Sequence, residues 1–255
     1  MTDPNAGYAT PRLVRDITDC HFYHSMDLPG HGTVQGEWDL RGDIDGYLGH
    51  ADFAGRRVLE IGPASGFCTV AMEQRGAEVV ALELPDHPGW DFVPYPESRL
   101  APLLVPRQAI MNRLKNSWWF VHAAHQLRAR QVVAHAEDVP DFVGRFDMAV
   151  LTSVLLHCKN PLAILQACAR HARDIVITEV WYPDLEGRPV CEFVPDGDNF
   201  MWHTWWRFSS GYFVRILQVM GFTVRPPVLS THSVLGQYGT RVFSLVATRE
   251  PGALP

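Results

Sequence analysis

Short apolar runs that alternate with helical stretches constrain the fold of this chain more than any other feature. Each run is nearly continuous in Val, Ile and Leu, which is typical of strands buried on both faces of a parallel sheet. Helical stretches separate most of the runs. Alternating strands and helices predict an α/β fold, a doubly wound sheet with right-handed crossovers. The predicted strands are 57–61, 78–83, 131–136, 146–152, 173–180 and 241–248, and the predicted helices are 65–76, 110–130, 160–173 and 209–222.

Two segments do not follow this alternation of strands and helices. Residues 1–52 are turn-rich and lack a strong strand pattern, so we expect an N-terminal arm or cap ahead of a core domain at 53–250. Six prolines occur at positions 85, 88, 94, 96, 102 and 106. Proline at this density predicts an extended loop just after the second strand, at the sheet edge where α/β proteins bind ligands. We therefore expect the insert 85–130 to form part of the substrate pocket as a lid.

Composition excludes several classes of protein. The chain has 22 basic and 28 acidic residues, a net charge of −6, which disfavours a generic nucleic-acid binder. Five cysteines without a C-x-x-C pair argue against a disulfide framework and a zinc ribbon. No apolar run approaches the roughly 20 residues of a membrane span, and the first residues lack a signal-peptide pattern. These features predict a cytoplasmic protein with no membrane partner.

The segment VLEIGPASGF at 58–67 carries the most chemical information. A strand leads into Gly62-x-x-x-Gly66 and then a helix, so the backbone can turn sharply and a ligand can approach without a Cβ in its way. Glu83 ends the next strand, where a carboxylate could accept both ribose hydroxyls. Together these features predict a nucleoside-containing cofactor. The dinucleotide pattern G-x-G-x-x-G is absent, which argues against a nicotinamide dehydrogenase.

These residues resemble the first motif and the second-strand acid of class I S-adenosylmethionine (SAM)-dependent methyltransferases. The resemblance implies a Rossmann-like, seven-stranded, mostly parallel sheet that ends in an antiparallel hairpin, with 221–229 as the sixth strand. It implies SAM as cofactor and S-adenosylhomocysteine (SAH) as product. The resemblance also assigns residues to each part of the cofactor. Glu83 would bind the ribose, Ala136 and either Glu137 or Asp138 would flank the adenine, and Thr152 and Ser153 would lie beside the methyl group. The residues that would line the methionine half are Glu60, Gly62, Pro63, Ala64 and Gly66.

A narrower resemblance concerns the segments 22–42, 146–162 and 195–222. They are similar to a group that contains the tRNA wobble-uridine carboxymethyltransferases and related uncharacterised methyltransferases. Those tRNA enzymes use carboxy-SAM and keep a Tyr where this chain has Leu156. Leu156 and the acidic net charge favour ordinary SAM and a small-molecule acceptor.

Methyl transfer needs positioned reactants, and a histidine can take the acceptor's proton. Three histidines are candidates for this base: His157 after the fourth strand, His24 in the arm, and His203 in the aromatic segment MWHTWW. His122 and His125 lie three apart on one helix, but no third ligand accompanies them, so we expect no metal.

Tryptophans concentrate in segments that flank the expected cleft. Adjacent Trp residues on one helix cannot all point inward, so some are expected to wall a pocket for a planar or apolar acceptor. Arg207 is either an anchor for an acceptor carboxylate or phosphate, or a surface charge. The predicted substrate-binding residues are Trp90, Tyr95, Trp119, Trp205, Trp206 and Arg207.

The sequence thus predicts a SAM-dependent methyltransferase that acts on a small aromatic or apolar metabolite, of natural-product type. The alternatives are a tRNA-modifying methyltransferase or carboxymethyltransferase and a SAM-binding regulatory module without catalysis. The acceptor atom, the acceptor itself and the choice between monomer and homodimer stay open at this point.

Overall fold

The computed structural model describes residues 6–86 and 90–249 and contains one central sheet. The strands are β1 Met26–Leu28, β2 Gly32–Val34, β3 Trp38–Asp39, β4 Arg57–Ile61, β5 Glu78–Glu83, β6 Arg130–Val133, β7 Phe146–Thr152, β8 Ala172–Val180, β9 Cys191–Phe193, β10 Trp206–Phe208, β11 Phe222–Val224, β12 Val228–Val234 and β13 Gln237–Arg249. The strand order in the central sheet is β6–β5–β4–β7–β8–β13–β12–β3, and β11 also pairs with β13. The five strands β4 to β8 run parallel, whereas β13 is antiparallel to its neighbours.

Helices cover both faces of this sheet. The helix α1 is Ile44–Tyr47, α2 is Phe67–Gln74, α3 is Glu97–His125, α4 is Pro161–His171 and α5 is Ser210–Val219. Alternate residues of β4 belong to different apolar clusters: Leu59 packs on the side of α4 and α5, and Val58 on the side of α2 and the end of α3. The predicted doubly wound, Rossmann-like α/β fold is confirmed. The sheet has nine strands among the described residues where seven were predicted, because β3 is added and the predicted sixth strand is divided.

The predicted sixth strand is divided in two. Phe222–Val224 pairs with the end of β13, and Val228–Val234 pairs with its first half. Pro226 and Pro227 lie between them, and proline has no N–H to donate to a ladder. The prediction was therefore correct that 221–229 pairs with the last strand, β13, but wrong that it forms one continuous strand.

The proline-rich segment is extended only in its first part. The helix α3 begins at Glu97 and contains Pro102 and Pro106, so the prediction of an extended loop was wrong for 97–106. The two prolines are four residues apart and exposed, so they share one face of the helix. The carbonyls that lose their intrahelical donors therefore lie on the solvent side, where water can bond to them. Pro88 lies outside the described residues.

The N-terminal arm joins the core rather than standing apart from it. Within it, β1 and β2 form an antiparallel hairpin, and β3 adds to the central sheet beside β12. The His21 main-chain N–H donates to Ser117 Oγ at 2.8 Å, which fastens the arm to α3. Among the described residues, no helix is long and apolar enough to cross a bilayer.

Candidate active site

The glycine-rich turn after β4 has the backbone that its sequence predicts. Gly62, Ala64 and Gly66 have φ values of +68°, +49° and +91°, a region that favours glycine. A Cβ on Gly62 would lie 2.9 Å from Val154 Cγ2, so this position has no room for a side chain. The Gly66 N–H donates to the carbonyl of Pro63 at 2.9 Å, which closes the turn before α2.

Glu60 is buried beneath this turn. Its Oε2 accepts a hydrogen bond from Thr69 Oγ1 at 2.5 Å, and Thr69 Oγ1 accepts one from Trp118 Nε1 at 3.1 Å. Burial raises the pKa of Glu60 to about 7. The carboxyl group therefore ties β4 to α2 and α3, and its charge responds to any cation placed beside it.

Glu83 lies at the end of β5, next to Glu60 along the same edge of the sheet. Its Oε1 accepts a hydrogen bond from the Leu84 N–H at 2.8 Å, and burial raises its pKa. The Lys115 ammonium nearby opposes that shift and is itself held by the Leu84 carbonyl at 2.6 Å and Asp86 Oδ1 at 2.7 Å. Sequence reasoning missed Lys115, because it lies 32 positions beyond Glu83 on a helix.

The remaining predicted cofactor residues follow β6 and β7. The Ala134 N–H donates to the Glu83 carbonyl at 3.0 Å, which places the loop with buried Ala136 and half-buried Glu137 beside Glu83. At the end of β7, Ser153 has a φ of +52° and its Oγ lies 3.3 Å from the hydroxyl of Tyr47. Thr152 precedes it and is half-buried. The structure thus brings the predicted cofactor residues to one edge of the sheet.

Two of the three candidate bases, His157 and His203, contact each other, and this contact determines which ring nitrogen of His157 carries the proton. His157 Nδ1 lies 2.6 Å from the main-chain carbonyl of His203. Because a carbonyl only accepts, Nδ1 carries the proton and Nε2 keeps its lone pair. The two rings lie 5.5 Å apart. Burial lowers the pKa of His157 to about 4 and also lowers that of His203, so both rings are neutral at pH 7.

His24 occupies a different place, over the glycine-rich turn. Its main-chain N–H donates to Ser65 Oγ at 3.2 Å, and its ring lies 5.9 Å from that of Phe67. The imidazole is buried, its Nδ1 has no hydrogen-bond partner, and burial lowers its pKa to about 4. The ring contacts of His24 are with Tyr23 and Phe67, whereas His157 and His203 contact each other.

The predicted aromatic residues divide between the cleft and the framework. Trp90 lies against His157, with ring centres 5.2 Å apart. Trp205 and Trp206 donate from Nε1 to the carbonyls of Asp91 and Cys158, at 2.8 Å and 2.9 Å. These two bonds tie the segment before α5 to the insert and to the turn that carries His157.

Three predicted substrate-binding residues lie elsewhere. Trp119 is buried in the core against Trp118, with ring centres 4.7 Å apart. The Tyr95 hydroxyl donates to the carbonyl of Asp196 at 2.8 Å. Arg207 pairs with Asp184 at 2.5 Å and with Glu192 at 3.0 Å, which matches the surface-charge interpretation of this residue.

Sequence reasoning missed a buried acid at the end of β8. Glu179 Oε1 accepts a hydrogen bond from the Leu155 N–H at 3.0 Å, so it holds the turn Leu155–His157 in place. Burial raises the pKa of Glu179 to about 8. The signal that identified Glu83, an acid at the end of an apolar strand, was equally present here.

No group of three or more potential metal ligands occurs within 6–86 and 90–249. Of the two histidines considered for such a site, His122 bonds through Nε2 to the carbonyl of Ala129 at 2.9 Å.

A family model described as a methyltransferase domain matches residues 40–225. The match covers more than half of the chain, which therefore belongs to the methyltransferase domain family. It confirms the predicted class of enzyme, with SAM as the methyl donor, and it does not single out the wobble-uridine group.

Curated relatives match a shorter part of the chain. The ubiquinone biosynthesis O-methyltransferase of Pseudomonas aeruginosa (strain LESB58) is 30% identical over 120 residues, covering 47% of this chain and 41% of that protein. The protein of the same name from Azotobacter vinelandii (strain DJ / ATCC BAA-1303) is 29% identical over 119 residues, covering 47% and 40%. The chain therefore aligns with less than half of the length of these relatives.

Solved structures match nearly the whole chain. The N-terminal domain of EvdMO1, crystallised in the presence of SAH and D-fucose, superposes with a TM-score of 0.58 at 16% identity, covering 90% of this chain and 91% of that one. The magnesium protoporphyrin IX methyltransferase of Synechocystis PCC 6803, with bound SAH, gives 0.50 at 15% identity, covering 82% and 81%. Identities this low establish a common fold.

Proposed function

We propose that this protein transfers the methyl group of SAM to a small aromatic acceptor, with His157 receiving the acceptor's proton. The observation that carries the proposal is the bond from His157 Nδ1 to the carbonyl of His203, which leaves the Nε2 lone pair available. His157 follows β7 closely, so it lies beside the sheet edge that carries Glu60 and Glu83.

The donor side of the cleft is suited to a nucleoside that carries a positive charge. SAM supplies a methyl group that is already activated as part of a sulfonium ion. Glu60 is available as the nearby carboxylate, because a bound cation would favour its ionised form. Glu83 offers its second carboxylate oxygen to a ribose hydroxyl, and the turn at Gly62 lets the ligand approach the backbone.

A weakly basic imidazole suffices on the acceptor side. When a neutral hydroxyl attacks the methyl carbon, its oxygen gains positive charge and its proton becomes strongly acidic. A neutral His157, with a pKa of about 4, can accept that proton as it is released. Positioning of the two reactants then contributes most of the rate.

We further propose that the arm 1–52 and the insert 85–130 form one wall of the acceptor site over the domain 53–250. Contacts between them support this assignment. The Arg113 guanidinium donates to the carbonyls of Thr18 and Cys20, at 3.1 Å and 2.7 Å. A wall held in this way excludes water from the reacting atoms.

The relatives support a small acceptor. Their names denote O-methyltransferases of ubiquinone biosynthesis, and one structural neighbour is named for magnesium protoporphyrin IX. The net charge of −6 gives no electrostatic support to a tRNA substrate.

The test is a transfer assay with methyl-labelled SAM. Phenols, catechols and hydroxybenzoates form one arm of the assay, and bulk tRNA forms the other. We expect label in a small acceptor and none in tRNA. Labelled tRNA would instead establish the tRNA-modifying alternative, and tight SAH binding without any transfer would establish a regulatory module. Failure to bind SAM or SAH in titration calorimetry would overturn the methyltransferase proposal itself.

A further inference from the structure

Arg107 is an arginine of α3 whose guanidinium makes no hydrogen bond and no close ion pair with the residues that the structure describes. Its side chain is half-buried, and its buried Nε has no hydrogen-bond partner. Among the residues that the structure describes, no carboxylate or carbonyl accepts a bond from the guanidinium. Burial of the charged group lowers the pKa of Arg107, and the nearby Glu37 opposes this shift. A half-buried cation without a partner is costly unless a ligand supplies the anion.

The guanidinium lies within the acceptor side of the cleft. Its Cζ is 4.1 Å from the ring centre of Trp90 and 5.6 Å from that of Trp202. Trp90 in turn lies 5.2 Å from the ring of His157, so one indole ring contacts both the guanidinium and the proposed base. The positive charge of Arg107 also contributes to the low pKa values of His157 and His203. The guanidinium and the two imidazoles therefore lie in one neighbourhood around Trp90.

Stacking on Trp90 leaves the donors of the guanidinium free. An arginine that stacks on an aromatic ring uses its flat face, whereas its N–H groups point outward in the plane. This geometry suits a planar carboxylate, which takes two parallel hydrogen bonds. The neighbouring imidazoles are neutral, so the site offers one positive charge, which matches a carboxylate better than a doubly charged phosphate.

Arg99, on the same helix, is a useful comparison because its guanidinium is bonded within the protein. Arg99 also stacks on aromatic rings, at 4.9 Å from Tyr95 and 4.2 Å from Phe200. Its Nη1, however, donates to the carbonyl of Gly197 at 2.9 Å. Arg107 has the same stacking without the internal acceptor.

We propose that Arg107 binds a carboxylate of the methyl acceptor, so that the substrate is an aromatic hydroxy acid. This inference rests on the proposed function and narrows its substrate class. The carboxylate pairs with the guanidinium, the ring lies among Trp90 and Trp202, and the hydroxyl reaches His157.

The experiment compares matched acids and amides in the presence of saturating SAH. The probes are 4-hydroxybenzoate against 4-hydroxybenzamide and 3,4-dihydroxybenzoate against its amide, with affinity measured by calorimetry or tryptophan fluorescence. We expect the wild-type protein to bind at least one acid roughly 10- to 100-fold more tightly than its amide, the range of a charge-assisted hydrogen bond. Arg107→Gln should abolish this preference, Arg107→Lys should retain part of it, and Arg99→Gln should keep it in full.

Three results would overturn the assignment. The first is equal affinity of the wild-type protein for acid and amide in both pairs, including no binding of either. The second is an acid preference that survives Arg107→Gln. The third is weaker SAH binding by a folded Arg107→Gln variant, because the guanidinium would then serve the cofactor. These measurements need no turnover, so they stand apart from the transfer assay: an acid preference without methyl transfer would contradict the proposed function alone.

Discussion

The proposed donor and acceptor sides of the cleft differ in how far apart along the chain their residues lie. Glu60, the turn at Gly62 and Glu83 belong to one continuous strand, turn, helix and strand, and Glu60 bonds to Thr69, nine residues away. On the proposed acceptor side, His157 bonds across 46 residues to His203, and Trp205 across 114 residues to Asp91. The residues of the donor side are therefore close together in the sequence, although distant residues also bond to them, whereas the acceptor side forms only when distant segments pack together.

Both proposed sides hold buried polar atoms that make no hydrogen bond within the protein. On the acceptor side these are Trp90 Nε1 and Arg107 Nε, and over the glycine-rich turn it is His24 Nδ1. The carboxyl groups of Glu60 and Glu83, in contrast, each accept a hydrogen bond from the protein. Unsatisfied buried groups at a cleft are those that a ligand can satisfy.

The largest effect should come from the base on the acceptor side. We expect His157→Gln to lower kcat by roughly a hundredfold or more while SAH affinity stays unchanged, because a proton acceptor is lost. Steady-state kinetics and calorimetry measure the two quantities. His203→Gln is the matched comparison, since the main-chain carbonyl that orients His157 remains. An equal loss of kcat in His203→Gln would move the role of base away from His157.

A change on the donor side should lower the affinity for SAH and leave kcat nearly unchanged. Glu83→Gln removes the charge that strengthens a bond to the ribose, so SAH affinity should fall roughly tenfold or more. Calorimetry with SAH measures this, and kcat at saturating SAM should change much less. Glu78→Gln, at the exposed start of the same strand, is the control. Unchanged SAH affinity in Glu83→Gln would place the ribose elsewhere.

The pH dependence of stability should separate the two kinds of buried group. The pKa of His157 falls from 6.5 to about 4, so its stabilising contribution is lost as the pH drops from 6.5 through 4. The pKa of Glu60 rises from 4.5 to about 7 and that of Glu179 from 4.5 to about 8, so their contributions are lost as the pH rises through these values.

Urea unfolding of the ligand-free protein across this pH range measures both the loss of stability on acidification, the acid limb, and the loss of stability at higher pH, the alkaline limb. We expect His157→Gln to flatten the acid limb and Glu179→Gln to flatten the alkaline limb. An alkaline limb unchanged in Glu179→Gln would mean that this carboxyl is ionised in the folded protein at neutral pH.

The smallest effect should come from Arg207, which the sequence offered as an acceptor anchor. Its ion pairs with Asp184 and Glu192 are partly exposed, so Arg207→Ala should cost at most about 1 kcal/mol of unfolding free energy. Acceptor KM should not change. A large rise in KM, specific to carboxylated acceptors, would return the anchoring role to Arg207 and weaken the case for Arg107.

Much of the fold could be predicted because strand patterns and helix signals are local. The six apolar runs became strands, and the glycine-rich turn adopted the conformation that glycine permits. Proline was a weaker guide. It divided the sixth strand as its missing N–H requires, but it did not prevent α3 from continuing through Pro102 and Pro106. Where the unpaired carbonyls face water, a helix stabilised by packing farther along can tolerate proline.

The candidate site likewise contains features that local sequence determines and features that only packing determines. The sequence by itself determined the strand segments, the turn at Gly62 and the place of Glu83 at the end of a strand, because each depends on residues that are close together in the chain. Only the tertiary structure decided that His157 is oriented by His203, that Trp119 is a core residue, and that Arg107 has no hydrogen-bonded partner among the described residues. Those properties depend on which distant groups come within about 3 Å of one another, and packing of whole elements sets that distance.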